Sequence, residues 1–187
     1  MNNLAAALHA FSPLNAQAIE DLGKSSMSRQ FAKGEVISEA GRICRHLYFL
    51  QQGLVKLYFD NGDKEFVMRF FSEESIFTGL DSYISETSST YSIMALEPAT
   101  VHSISRSRME QLCVQHHCIE TAFRKFISMA AFNMMGRVSE MLEEEAAARY
   151  DSFIRAHAAL MQRISLGDLA AYLGITQVSL SRIRGKR

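Results

Sequence analysis

The sequence has no tryptophan, only two prolines and three cysteines, and its 20 basic and 20 acidic residues cancel. Each shortage excludes something. Cys44, Cys113 and Cys118 are odd in number and contain no CxxC pair. Neither a disulfide framework nor a four-cysteine iron–sulfur centre is expected. No apolar run approaches the roughly 20 residues that span a bilayer. Met1-Asn2-Asn3 does not open a basic-then-apolar leader, so a cytoplasmic protein without membrane contact is expected. No nucleophile–base pair or phosphate loop stands out, and the chain is not read as an enzyme. His116, His117 and Cys118 diverge by about 100° per residue on a helix, and Asp60, Asp63 and Glu65 suit a solvated turn. No metal and no cofactor is therefore expected.

What is present falls into three textures. Residues 4–23 carry an apolar stripe of Leu4, Leu8, Phe11, Ile19 and Leu22, with Ser12 as a helix cap and Pro13 at the first helical position. From about Arg29 to Ser105, short runs rich in Val, Ile, Tyr and Phe alternate with glycine turns. Strands are expected over 46–50, 55–59, 65–70, 67–71, 91–95 and 100–104, with a hairpin at Asn61-Gly62. Many short strands at regular spacing predict a sandwich, barrel or roll. From Arg106 the pattern is helical, with a short helix over 106–116. The stretch from Ile119 to about Tyr150 has no proline and one glycine, Gly136. Its apolar residues Phe123, Ile127, Ala130, Met134, Val138 and Met141 recur at spacings of three and four, predicting one amphipathic helix of about eight turns. Its early part is expected on the roll. Its later part, Ile127, Ala130, Met134, Val138 and Met141, is expected across a homodimer seam.

The neutral average hides an asymmetry. After Ala148 stand Arg149, Arg155, Arg163, Arg182, Arg184, Lys186 and Arg187 against only Asp151 and Asp168, seven cations to two anions. A basic end of this kind suits DNA. A further helix is expected over 150–163. The same segment then carries a helix-turn-helix pattern: Ser165 capping a helix over 166–173, Gly174 to end it, Ile175 as plug and Thr176 capping a second helix from Gln177. Ala170 is small where two crossing helices would touch, and Leu169, Leu173, Ile175, Leu180 and Ile183 form the shared core. Thr176, Gln177, Val178, Ser179, Ser181, Arg182, Arg184 and Lys186 then face away from it. They supply the donors, acceptors and apolar contact that read base edges and phosphates.

These motifs together resemble the Crp/Fnr superfamily of bacterial regulators. The sensor match is Lys33-Gly34-Glu35-Val36-Ile37, Gly41, Leu47-Tyr48-Phe49-Leu50 and Gly53-Leu54-Val55-Lys56-Leu57. The second match runs from Leu169 to Thr176 and from Leu180 to Ile183. The resemblance covers nearly the whole chain. It implies an α+β protein in three parts: a β-roll sensor with N-terminal helices over 1–118, a dimerisation helix over 119–148 and a DNA-binding unit over 149–187. It also implies double-stranded DNA, a second copy of the chain, RNA polymerase and a small-molecule effector as partners.

The departures are specific. Relatives that bind cyclic nucleotides hold the ribose with a Glu after Phe-Gly and the cyclic phosphate with an Arg farther on. Leu80 stands at the first position and Ser89 at the second, and no Arg lies between Arg69 and Arg106. The adenine-facing polar pair is replaced by Met134-Met135. The pocket positions are therefore Gly79, Leu80, Asp81, Ser89, Thr90 and Met134, and cyclic AMP is not the expected ligand, since a buried phosphate without a cation is costly. The first 43 residues contain no cysteine, which closes the iron–sulfur route, and His46 and His102 are read as ordinary strand histidines rather than haem ligands. Of the recognition pattern Arg-Glu-x-x-x-Arg, only Arg182 is retained, and no β-hairpin wing is expected after Arg187. A homodimeric, sequence-specific regulator is the leading reading. The alternative is a ligand-binding or protein-interaction module with a degenerate DNA-binding unit.

Overall fold

The computed structural model describes residues 3–62 and 64–185. Two helices, α1 (Asn3–His9) and α2 (Ala16–Ser25), precede eight strands: β1 (Met27–Phe31), β2 (Val36–Ser38), β3 (His46–Gln52), β4 (Val55–Asp60), β5 (Glu65–Phe71), β6 (Ile76–Phe77), β7 (Ser92–Ala95) and β8 (Ala99–Ser105). A short helix α3 (Leu80–Ser85) interrupts them. Helices α4 (Arg106–Gln115), α5 (His117–Glu143), α6 (Ala146–Ala156), a 3₁₀ turn (Ala158–Gln162), α7 (Leu166–Leu173) and α8 (Gln177–Gly185) complete the chain.

The strands form two antiparallel sheets, ordered β1-β8-β3-β6 and β2-β7-β4-β5, packed as a roll. Alternation in β8 explains the layering: Ala99 and Val101 point between the sheets, while Ile104, on the opposite face, is buried under the outer helices. At the β4–β5 hairpin, Gly62 takes φ +93°, a left-handed geometry that favours glycine. Asn61 closes the turn by accepting the Lys64 amide at 3.0 Å. Tyr48, Leu50, Val55, Leu57, Phe77 and Ile93 fill the space between the sheets. Two further clusters cover the outside. Leu47, Phe49 and Ile104 pack under α1, α2, α4 and the first turns of α5. Leu54, Val67 and Phe70 pack under Tyr150, Phe153, Leu169, Leu173 and Leu180 of the C-terminal helices.

Three expectations are corrected. Ser12 caps nothing: Asn15 is the N-cap of α2, its side chain accepting the Ala18 amide at 2.8 Å, because the Pro13 segment remains a loop. The helix expected to run to Tyr150 stops at Glu143, where Glu144 turns extended at φ −97°, ψ 142°. A separate helix, α6, then begins four residues before the expected 150 and ends at Ala156, with 158–162 in a 3₁₀ turn. Glu140, Glu143, Glu144 and Glu145 crowd the end of α5 and oppose the negative end of the helix dipole, which favours a break there.

The stripe read from the periodicity also lies differently. Phe123 and Ile127 pack on the first outer cluster. Ala130 and Met134 line a cleft between α5 and the roll, and Met141 leans on Gly174. Of the five residues assigned to a seam, only Val138 is on the open face. That face carries Ala131, Met135, Val138 and Leu142 at heptad spacing, flanked by Phe132; Phe132, Met135 and Leu142 are 69%, 70% and 81% exposed.

Candidate nucleic-acid interface and sensor pocket

The C-terminal helix pair is built as its sequence requires. Ser165 Oγ accepts the Asp168 amide at 3.0 Å and opens α7. Gly174 ends it at φ +69°, and its amide returns to the Ala170 and Ala171 carbonyls. A Cβ there would also sit 2.7 Å from the Met141 methyl, a contact that the flexible methionine can relieve, so it is the left-handed φ that favours glycine. Leu169, Ala170, Leu173 and Leu180 are almost fully buried, with Ile175 and Ile183 packed beside them. Thr176 Oγ1 accepts the Ser179 amide at 3.2 Å and opens α8.

Thr176, Gln177, Val178, Ser181, Arg182 and Arg184 are exposed on α8, and Ser179 is half-buried. Val178 is 62% exposed at the start of α8. Arg182 and Arg184 have no carboxylate partner among the described residues. Lys186 lies outside the described residues. Gln177 leans back over the first turn of α7, close enough that a Cβ on Gly167 would meet its Nε2 at 3.0 Å.

The basic tail is less free than its composition implies. Arg149 is buried and donates to the Leu173 carbonyl at 2.8 Å and to the Glu144 carbonyl. Arg163 pairs with Glu73 at 2.7 Å and with Glu97, both on the roll. Its guanidinium pulls the Glu73 carboxyl down from 4.5 to about 2. Asp168 accepts from Lys56 at 2.9 Å; Lys56 is only 6% exposed and also holds Glu65 at 2.6 Å. Burial alone would raise the Asp168 carboxyl, but the Ser165 hydroxyl and Lys56 ammonium outweigh it and hold it low. Sequence reasoning counted Arg149, Arg163 and Asp168 toward the charge of a DNA-reading end. No local signal distinguishes them from Arg182, because Arg149 reaches Leu173, Arg163 reaches Glu73 and Glu97, and Asp168 reaches Lys56 across 24 to 112 positions of chain.

In the roll, Gly79, Asp81, Ser89 and Thr90 meet. The Asp81 carboxylate accepts from Ser89 Oγ at 3.1 Å, from the Thr90 amide at 2.9 Å and from Thr90 Oγ1 at 3.2 Å. A Cβ at Gly79 would press on Cys44 at 3.3 Å and Ser89 Oγ at 3.4 Å. Cys44 in turn contacts Thr78 Oγ1 at 3.4 Å. The donors that would greet an incoming anion are thus given to an internal carboxylate, and no cation stands with them among the described residues. A phosphate here would meet a fixed negative charge, so these residues do not fit a cyclic nucleotide. Leu80 and Met134 lie elsewhere, on the wall of a large cleft of about 960 Å³ between α1, the β5–β6 edge, α5 and the 3₁₀ turn.

Residues 28–116 match the cyclic nucleotide-binding domain family. Comparison with curated protein sequences finds no match. Among solved structures, the chain is similar to a Crp/Fnr-family regulator of Eubacterium rectale at 13% identity and TM-score 0.74, covering 93% of this chain and 85% of that one. It is similar to the cyclic-di-GMP-responsive global regulator CLP of Xanthomonas campestris at 19% identity and TM-score 0.69, covering 92% and 91%. It is similar to the catabolite activator protein of Thermus thermophilus at 18% identity and TM-score 0.61, covering 96% and 85%. The α+β architecture of roll, long helix and C-terminal helices is the fold that these solved structures share. No helix among the described residues is long and apolar enough to cross a membrane.

Proposed function

We propose that this chain is a homodimeric DNA-binding transcription regulator whose helix-turn-helix is α7 and α8. The observation that carries the reading is the C-terminal pair itself. Its core and caps are complete, while α8 turns outward two arginines without carboxylate partners among the described residues, a glutamine and an exposed valine. A degenerate unit would retain the packing without that chemistry. Gln177 suits the N6/N7 edge of adenine, Val178 a thymine methyl and Arg182 guanine O6 and N7, while Arg184 and Lys186 suit phosphates. The open face of α5 supports dimerisation, and two equivalent α8 helices then address half-sites about one DNA turn, roughly 34 Å, apart. RNA polymerase as a partner, the cytoplasm as the compartment and a division into sensor, long helix and DNA-binding unit belong to the same proposal; the expected boundary at 148 falls inside α6, and the break between α5 and α6 is the natural one.

A mobility-shift assay with duplex from upstream of its own gene tests the reading, and selection from randomised duplexes then defines the site. Arg182→Ala is expected to weaken the selected site by about 1–3 kcal/mol and relax preference at one base pair. If the variant selects the wild-type motif at every position, Arg182 does not read a base. A chain that shifts no duplex at low salt overturns the regulator reading.

The roll is proposed not to sense cyclic AMP or cyclic GMP. Calorimetry at millimolar nucleotide is expected to give no saturable heat for the wild-type chain. Saturable micromolar binding would mean that the Asp81 carboxylate leaves its three donors, and would overturn the proposal.

A further inference from the structure

A cavity of about 220 Å³ adjoins the large cleft and shares Arg69, Asn133 and His157 with it. Four parts of the fold enclose it: β5, the later half of α5, the α6–3₁₀ junction and α7. Arg137 is only 8% exposed here. It gives one N–H to Glu140 at 2.6 Å and one to the Tyr172 carbonyl, and its guanidinium lies 3.8 Å over the Tyr172 ring. Its buried Nε meets no acceptor. Among the described residues Arg69 has no carboxylate partner, and the side chains of Asn133 and His157 make no hydrogen bond. Asn133 is half-buried and Arg69 and His157 line the cavity from exposed positions, so Arg137 Nε is the buried polar atom left without a partner among the described residues of this wall; buried polar groups are nearly always bonded, and an unsatisfied one on a cavity wall calls for a ligand or ordered water.

Charge and shape indicate which ligand. Arg69 and Arg137 supply two cations and Glu140 one carboxylate, so the cavity is positive. His157 is faced by Arg69 from β5, Arg137 and Glu140 from α5 and Tyr172 from α7. Burial and the Arg69 charge hold its imidazole below the usual range, against an opposing pull from Glu140. The remaining walls include Phe70, Phe153 and Tyr172. A small pocket that sets aromatic side chains beside convergent polar groups suits a single ring bearing one charged group.

We propose that this junction binds a small organic anion, a carboxylate or phosphate on an apolar or aromatic body. Arg69, Asn133 and Arg137 hold the charge, and Phe70, Phe153 and Tyr172 enclose the body. The site is separate from the Asp81 knot inside the roll. Its occupant touches the sensor, the long helix and the C-terminal unit together, and so favours one arrangement of the three over others. That occupancy alters DNA affinity rests on the regulator reading above; the site itself does not.

The test uses the full, DNA-free chain and three probes: phenyl phosphate, benzoate and neutral benzyl alcohol. Calorimetry is expected to show saturable binding of one or both anions and none of the alcohol, and which anion binds tells phosphate from carboxylate. NMR titration of the His157 ring is expected to show its pKa raised by the bound anion. Arg69→Gln, at an exposed position that does not endanger folding, is expected to weaken binding at least tenfold, and Asn133→Leu to weaken it as well. The proposal is overturned if neither anion binds, which leaves ordered water as the occupant. It is also overturned if benzyl alcohol binds as well as the anions, or if Arg69→Gln leaves affinity unchanged. A mobility-shift assay run separately, with and without the bound anion, keeps failure of the site distinct from failure of DNA binding.

Discussion

A Met135→Glu, Val138→Glu variant is expected to sediment as a monomer at micromolar concentration, where the wild-type chain is expected to sediment as the proposed dimer. Met135 and Val138 are 70% and 49% exposed on the α5 face that also presents Ala131, Phe132 and Leu142. A second α5 is the partner that such a heptad seam accepts. Two-fold symmetry then places two carboxylates from each chain in one apolar seam. An uncompensated buried charge costs about 3–5 kcal/mol, which converts to roughly a hundredfold or more in dissociation constant. Operator binding falls with it, because the second half-site is no longer tethered to the first. Met134→Glu is the control. It lies one position along, lines the cleft and points away from the open face, so it is expected to leave the dimer intact. A double variant that stays dimeric would place the seam elsewhere.

Arg149→Ala is expected to destabilise the fold by about 2–4 kcal/mol, since hydrogen bonds to a charged group are worth about 1.5–3 kcal/mol and their loss leaves buried carbonyls unpaired. Arg149 is 8% exposed and bonds the Leu173 carbonyl at the end of α7 and the Glu144 carbonyl just beyond α5. A cation between two helix C-termini also meets the negative ends of both dipoles. Urea unfolding is the measurement, with a lower midpoint at unchanged slope as the expected result. Arg149→Met restores the bulk but not the donors, and is expected to recover only part of the loss. Arg155, exposed and bonded to Ser152 at 3.1 Å, is the comparison; its alanine variant is expected within about 0.5 kcal/mol of wild type. Equal midpoints for Arg149→Ala and wild type would refute the capping role.

Features whose cause lies within a few residues were legible without the fold. The Asn61-Gly62 hairpin, the Ser165 and Thr176 caps and the left-handed Gly174 are all local, and all stand where the spacing puts them. The missing anchors at Leu80 and Ser89 were also legible. What was not legible there is the outcome, in which Asp81 turns its carboxylate onto the vacated donors.

Local backbone preference and hydrophobic periodicity by themselves determined the strands β3, β4, β5, β7 and β8 and the helix pair at the C-terminus, because each is decided by neighbours along the chain, whereas β1, β2 and β6, short or mostly uncovered, were not legible. Tertiary structure decided the rest. Helix α5 is apolar on more than one face, and periodicity cannot tell a face covered within the chain from one left open; packing assigned Ile127, Ala130 and Met134 toward the roll and Met141 toward Gly174, and left Met135, Val138 and Leu142 open. Likewise an arginine carries the same charge wherever it stands. Only tertiary packing committed Arg149 to the carbonyls at the ends of α5 and α7 and Arg163 to Glu73 and Glu97 on the roll, and left Arg182 and Arg184 facing outward, since such contacts depend on distance through space rather than along the sequence.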